Sequence, residues 1–237
     1  MISLFKKIRK VLIEQNKISR YLAYALGEIL LVVIGILIAL QVNNWNEEKK
    51  IRTFEKGILQ LLDQNLAYDA FDLHFQYEQA KLANTLTDSL LRQIETKVYD
   101  EQLQLWMGKI VCFERFKSQS SAYEVLKSKG FETIQDEVLR LSLITYYDQT
   151  LFQLYQSNTD VETSFNNDWV PVIKEETEDF VFLTKITPRN PKEFFESPST
   201  IVLFKIFQDN RTGSIRNMKN ALGKISNLRE LIKRQSL

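Results

Sequence analysis

An apolar run from Leu22 to Leu40 constrains this chain more than any other feature of its sequence. The run holds one charged residue, Glu28, and every residue from Ile29 to Leu40 is apolar or glycine. A helix rises about 1.5 Å per residue, so a run of this length can cross the hydrocarbon core of a bilayer. The sequence therefore predicts a single-pass membrane protein.

The rest of the chain is long enough for one ordinary domain and poor in helix breakers. Only seven glycines and four prolines occur in 237 residues, which favours long helices over a turn-rich β-architecture. We expect an all-α fold: an N-terminal amphipathic helix, one transmembrane helix continuing into a long stalk helix, and an up-and-down helical bundle. The expected parts are a cytoplasmic arm (residues 1–20), a transmembrane helix (residues 21–42) and an extracytoplasmic helical domain (residues 43–237).

The apolar run has the features of an uncleaved signal anchor. It is longer than the apolar region of a signal peptide, and no clean small-x-small cleavage site follows it. Six basic residues precede the run and four follow it up to residue 60, a bias that predicts a cytoplasmic N-terminus. Three aromatic residues stand where membrane-interface anchors are expected: Tyr21, Tyr24 and Trp45.

Glu28 borders a row of small residues that would let two membrane helices approach closely. The row follows an i, i+4 pattern interrupted by Leu31, and its members are Ala23, Gly27, Gly35 and Ala39. One hypothesis makes this face a membrane helix interface, with Glu28 bonding across it. A second hypothesis makes Glu28 a proton or ion relay. A third makes it an interfacial carboxylate that tolerates its depth in the membrane.

Beyond the membrane segment, one helix is expected to run to about Lys97, with one bend or break around Thr85–Ser89. Its apolar residues alternate at spacings of three and four, which predicts a coiled-coil seam: Ile51, Phe54, Ile58, Leu61 and, past polar Asn65, Tyr68. Leu62, Leu66 and Leu73 form a second stripe. In the arm, a further apolar face predicts a helix on the membrane surface or a basic flank that only fixes topology: Leu4, Phe5, Ile8, Val11 and Leu12.

Local signals predict the later elements. Helices are expected at Tyr99–Ile110, from a capping box at Ser121 and Glu124 to Gly130, and from Thr133 with Asp136 to about Asn167. Pro198 should open the last helix. Two stretches are left open: the apolar residues 111–117, and Phe180–Ile186, which is compatible with a strand or a helical turn.

The sequence offers no catalytic grouping, so we expect a protein that is not an enzyme and uses no cofactor. His74 is the only histidine; Asp69 and Asp72 lie near it, but on a helix His74 points away from both, which argues against a metal site. Cys112 is the only cysteine, so an internal disulfide and a thiolate zinc site are excluded. A near-neutral net charge of +1 argues against nucleic acid as a partner.

Two stretches resemble an uncharacterised family of bacterial single-pass envelope proteins that carry a domain of unknown function. The first comprises Tyr24–Ile29, Val32–Gln41 and Asn43–Glu47; the second is Ser121–Gly130, with Leu139-Arg140 and Tyr146-Tyr147 downstream. The resemblance implies an anchor in the bacterial inner membrane and a helical domain in the periplasm. It implies no activity, and it includes Glu28 in the first motif.

Three functional hypotheses follow. The first is a non-enzymatic scaffold or interaction protein of the cell envelope, whose partners are the bilayer, further copies of itself or other membrane proteins. The second is a sensory or ligand-binding module that signals through a partner, since twenty residues before the membrane cannot hold an output domain. The third is an accessory subunit of an ion-coupled membrane complex that uses Glu28.

Overall fold

The computed structural model describes residues 18–235 and is helical almost throughout. Its helices are α1 (Ile18–Glu95), α2 (Glu101–Ile110), α3 (Ser121–Lys129), α4 (Glu137–Ile144), α5 (Leu151–Ser164), α6 (Val170–Glu176), α7 (Pro191–Glu196) and α8 (Pro198–Gln235). Two strands, β1 (Thr177–Val181) and β2 (Lys185–Pro188), form the sheet of the described chain. The expectation of an all-α fold is confirmed.

The chain divides into two compact units, of which the first ends at Phe54 and the second begins at Glu55. In the first unit, α1 carries the apolar run. Its most apolar 18-residue window has a mean hydropathy of 2.5, and none of that window is buried within the described protein. By length and composition this helix could span a membrane. The amphipathic arm at Leu4–Leu12 lies outside the described residues.

Helix α1 ends at Glu95, two residues before the expected Lys97. Of the bend or break expected around Thr85–Ser89, the break is wrong because the helix is continuous there. Each hydroxyl in that stretch donates to the carbonyl four residues earlier: Thr85 to Lys81 at 3.1 Å, Thr87 to Ala83 at 2.9 Å and Ser89 to Thr85 at 3.0 Å. These hydroxyl groups therefore find hydrogen-bond acceptors on the helix itself, and they do not interrupt it.

In the second unit, the buried face of α1 contains the second of the two apolar stripes predicted from the sequence, that of Leu62, Leu66 and Leu73. The buried or half-buried positions alternate at spacings of three and four: Leu59, Leu62, Leu66, Asp69, Leu73, Gln76, Ala80, Ala83, Thr87, Leu90 and Ile94. In the predicted coiled-coil seam, Ile58 is in the core, but Leu61 and Tyr68 are 50% and 60% exposed. The stripe that packs within the second unit lies one residue further along the helix, and the coiled-coil role of the seam stays a prediction.

Helix α8 runs antiparallel to the second-unit part of α1. Its later residues pair with earlier residues of α1: Arg229 donates from Nε to Oδ1 of Asp63 at 2.8 Å, and Gln208 donates from Nε2 to Oδ1 of Asp88 at 2.7 Å. Asn84 donates to Thr212 between them at 2.9 Å. The buried face of α8 keeps the same spacing: Phe204, Phe207, Arg211, Ser214, Met218, Ala221, Ile225, Leu228 and Ile232.

Helices α4, α5 and α6 form one continuous helical path that includes two π-helical segments, Thr145–Thr150 and Phe165–Trp169. The path begins at Asp136, whose carboxylate accepts from the amide of Leu139 at 2.9 Å, and it continues to Glu176, beyond the expected end at Asn167. Thr133 closes a 3₁₀ turn instead of opening the helix, so that start was predicted three residues too early.

The expected capping box at Ser121 and Glu124 is wrong. Ser120 is the residue that precedes α3, and it makes no side-chain capping bond, while the Ser121 hydroxyl accepts from Asn65 of α1 at 3.3 Å. The hydroxyl oxygen that a capping box would use at the start of the helix is therefore engaged in a tertiary contact with α1. The C-terminus is as expected, because Gly130 ends α3 with a φ of 108°.

The segment Phe180–Ile186 is part of a β-hairpin. Strands β1 and β2 are antiparallel, with Phe180 opposite Ile186 and Val181 opposite Lys185. The hairpin lies against α2 at Gly108, where an added Cβ would stand 2.3 Å from the backbone nitrogen of Lys185. Residues 112–120 form neither helix nor strand.

Aromatic residues from α5 to α8 fill the core at the C-terminal end of α1. Trp169 lies 4.7 Å from Phe204 between ring centroids, and Phe194 meets Phe195 edge-on at 5.2 Å. Around them pack aliphatic side chains from α1, α2 and the hairpin: Leu90, Ile94, Leu103, Met107, Ile110 and Ile186. This core holds α2 and the hairpin against the long helices.

Candidate functional site

The predicted membrane interface residues lie on an open face of α1. Ala23, Gly27, Gly35 and Ala39 are exposed, and a Cβ added at Gly27 or Gly35 would meet no atom within 4 Å. Glu28 is half-buried. Trp45 is 66% exposed, and the side chains of Tyr21 and Tyr24 lie outside the described part of the structure. The assignment of these residues to membrane contacts stays a prediction.

The second unit exposes a row of large apolar side chains on α1, which we call the α1 stripe. Leu61, Tyr68, Phe75 and Leu82 recur every seventh residue and are 43–60% exposed, and Phe71 between them is 79% exposed. Seven residues advance a helix by almost two full turns, so the row drifts only about 20° per repeat. Large exposed apolar patches are typical of interaction surfaces.

A buried carboxylate lies on the opposite, core-facing side of α1. Asp69 is fully buried and accepts three hydrogen bonds: from the amide of Gln119 at 2.7 Å, from the hydroxyl of Tyr146 at 3.3 Å and from the hydroxyl of Ser118. Burial raises the pKa of Asp69 above its usual value, although the bonds from Ser118, Gln119 and Tyr146 act in the other direction. The cluster ties the irregular segment before α3 and the first π-helical segment to α1.

Next to that cluster, about two turns further along α1, lies a cavity of about 60 Å³. It is formed by α1, the end of α2 and the segment after it, α5, the hairpin and α8, all within the second unit. Its most unusual lining residue is Arg211, which is only 3% exposed. Desolvation by burial lowers the pKa of Arg211 to about 10, so the guanidinium stays charged at neutral pH.

The partners of Arg211 are neutral. Its Nη2 donates to the carbonyl of Cys112 at 3.3 Å and to that of Ile110, and its Nη1 lies 3.5 Å from Oδ1 of Asn84. The guanidinium also lies 4.7 Å from the ring centroid of Phe207. No ion pair joins Arg211 to an acidic residue of the described chain.

Two amide groups that line the cavity have an atom without a partner. The Oδ1 of Asn158 accepts from Ser214 at 2.6 Å, which leaves its buried Nδ2 unpaired. The Nε2 of Gln76 donates to Asp72 at 3.2 Å, which leaves the buried Oε1 of Gln76 unpaired. One hydrogen-bond donor and one acceptor are thus unsatisfied in the lining of one cavity.

The cavity margin is formed by the exposed residues Lys109 and Glu114. Burial and the nearby Asp72 raise the pKa of Glu114. Cys112 also lines the cavity, and burial raises the pKa of its thiol, which donates to the carbonyl of Lys109 at 3.1 Å. A protonated thiol is a poor nucleophile.

Sequence reasoning missed this cavity, although a signal was present. Arg211 and Ser214 occupy two consecutive positions of the mostly apolar seam of α8, and Gln76 occupies one in the seam of α1. His74, by contrast, is exposed and stacks on Tyr77 at 6.5 Å, and the described residues hold no group of three potential metal ligands.

The structure thus defines a helical protein with one helix suited to a membrane span and a second unit that carries an exposed apolar stripe and a polar cavity. The chain belongs to DUF6090, a family of unknown function that matches residues 28–167. The matched region includes Glu28, the α1 stripe, Asp69 and Asn158, and it ends before Arg211. No curated protein and no solved structure matched the chain.

Proposed function

We propose that this protein is a non-enzymatic interaction protein, anchored in the bacterial inner membrane by α1, whose periplasmic second unit pairs with a second copy of itself through the α1 stripe. The observation that carries the proposal is the exposed heptad row of the stripe. An apolar window without burial supports the anchor, since a helix of a soluble core would be covered by its own protein. The basic bias before Leu22 supports a cytoplasmic N-terminus.

A second copy is the occupant that the stripe fits best. A row repeating every seven residues matches the knobs and holes of another helix with the same repeat. Two copies inserted in one bilayer in the same sense would pair in parallel about a two-fold axis, which places each stripe residue beside its own counterpart. Tyr68, Phe71 and Phe75 would supply aromatic contacts at the centre of such an interface.

Site-specific crosslinking of the full chain in membranes tests this arrangement. Phe71→Cys should form a disulfide-linked dimer under mild oxidation, because the two-fold axis brings the two copies of position 71 together. Phe152→Cys is the matched control: Phe152 is an aromatic residue of α5 that is 61% exposed but lies off the stripe. The native Cys112 is present in both variants.

Replacement of the stripe provides the complementary measurement. The double variant Phe71→Glu with Phe75→Glu should convert dimers to monomers in native mass spectrometry of the protein in nanodiscs, whereas Phe152→Glu should leave them intact. A wild-type protein that is strictly monomeric in the bilayer would overturn the proposal. Equal crosslinking at positions 71 and 152 would overturn it as well.

A further inference from the structure

We propose that the cavity beside Arg211 binds a small carboxylate that carries a hydroxyl or amino group, a ligand of about six non-hydrogen atoms at most. This site goes beyond the proposed self-association, and it does not depend on it, because every lining residue belongs to one copy of the second unit.

The first argument is the uncompensated charge of Arg211. A buried cation is costly unless an anion or a full set of hydrogen bonds compensates it. The half-buried Arg229 follows that rule, because it pairs with Asp63. Arg211 is more deeply buried than Arg229 and has only carbonyls, an amide and an aromatic ring beside it. An anion in the adjacent cavity would complete its environment.

The second argument is the pair of unsatisfied amides. The Nδ2 group of Asn158 needs an acceptor, which a carboxylate oxygen supplies, and the Oε1 atom of Gln76 needs a donor, which a hydroxyl or amino group supplies. The carboxylate of Asp72, which can only accept, fixes the orientation of the Gln76 amide, and the Ser214 hydroxyl donates to the other end of the Asn158 amide. A simple carboxylate would satisfy Asn158 but would leave Gln76 unpaired.

The third argument is size and charge. A water needs roughly 10–15 Å³ of such space, so 60 Å³ is equivalent to on the order of four waters, which suits a ligand such as glycolate or glycine. Two cationic side chains, Arg211 and Lys109, line the cavity against one carboxyl, that of Glu114. The net positive charge of these lining side chains favours an anionic ligand over a cation.

Ligand-observed NMR on the full chain in nanodiscs tests the proposal with five probes: glycolate, glycine, acetate, inorganic phosphate and methylammonium. We expect glycolate or glycine to bind at least about tenfold more tightly than acetate, since acetate leaves one buried acceptor unpaired. Tighter binding of phosphate or methylammonium, equal binding of acetate, or no binding of any probe would each overturn the assignment.

The substitution Asn158→Asp, which is nearly isosteric, tests the binding site directly. An aspartate at this position can still accept from Ser214, but it replaces the unpaired donor with a negative charge inside the cavity. The affinity for the carboxylate probe should fall by at least about tenfold. Asn166→Asp is the control, because Asn166 is exposed on the same helical path and does not line the cavity. Unchanged binding by the Asn158→Asp protein would refute the site.

Discussion

Gly108 in α2 packs against the backbone of Lys185 in β2 so closely that no room is left for a side chain. A Cβ at this position would stand 2.3 Å from that nitrogen and 2.5 Å from the carbonyl oxygen of Thr184. Glycine is therefore required here by the close approach of two backbones, and the contact seats the hairpin on α2.

Gly108→Ala should lower the free energy of unfolding by about 1–3 kcal/mol, because the added methyl group must displace backbone atoms. Chemical denaturation of the full chain in detergent measures the change. The control is Gly223→Ala on α8, where the new Cβ meets nothing within 4 Å. That substitution should raise stability by roughly 0.5–1 kcal/mol, since alanine favours the helix. Equal effects at both positions would contradict the described contact.

Asp69 should give the protein a specific pH dependence. The unfolded chain releases this proton near pH ~4, whereas the raised pKa of the folded state retains it to higher pH. The folded state therefore binds more protons in that window, and the stability from Asp69 is fully present below about pH 4 and lost as the pH rises through the folded pKa. The unfolding free energy of the Asp69→Asn protein, measured relative to wild type, should increase from pH 4 to pH 7. A difference that does not vary with pH would show that burial does not dominate.

The helix starts at Asp136 and Ser120 should respond differently to alanine. Asp136→Ala removes an oxygen that accepts from the amide of Leu139, so it should cost about 1 kcal/mol of stability. Ser120→Ala should change stability much less, because Ser120 makes no capping bond. Thermal unfolding of both variants under one condition is the measurement. A larger loss at Ser120 than at Asp136 would be inconsistent with the structure.

The small residues of the apolar segment make a prediction that is separate from the α1 stripe. If their face meets a second helix in the bilayer, Gly27→Leu and Gly35→Leu should reduce energy transfer between labelled copies in vesicles, because a large side chain prevents close approach. Val33→Leu, which adds one methylene to an exposed apolar position, is the control. Unaltered energy transfer in both glycine variants would show that this face does not form a helix–helix interface.

Periodicity predicted the long elements well and assigned their faces less well. The end of α1, the opening of α8 at Pro198 and the termination of α3 at Gly130 follow from local chemistry, and each lies within about two residues of the prediction. The sequence predicted two apolar stripes on α1 and did not show that only the second is buried within the second unit. Which of them is covered depends on α8 and the α4–α6 path, which local sequence does not encode.

The candidate cavity was beyond prediction for a similar reason. Arg211, Gln76 and Asn158 come from three helices that are distant in sequence. Arginine is also rarely buried, so the basic side chains of a helix such as α8 are expected to be exposed to solvent. The usable signal was positional: a polar residue in register with an apolar seam. Asp69 carries the same signal, and it too belongs to a buried polar cluster.

The burial of Asp69 within a seam of leucines also limits how α1 can move. A slip of one heptad would bring Leu62 or Gln76 to the point where Ser118, Gln119 and Tyr146 donate their hydrogen bonds, and neither side chain could accept all three. The helix therefore has a single axial register against its neighbours in the second unit. Tension applied along α1 would load the Asp69 cluster, together with the contacts of Asp63 and Asp88 to α8, instead of being relieved by sliding.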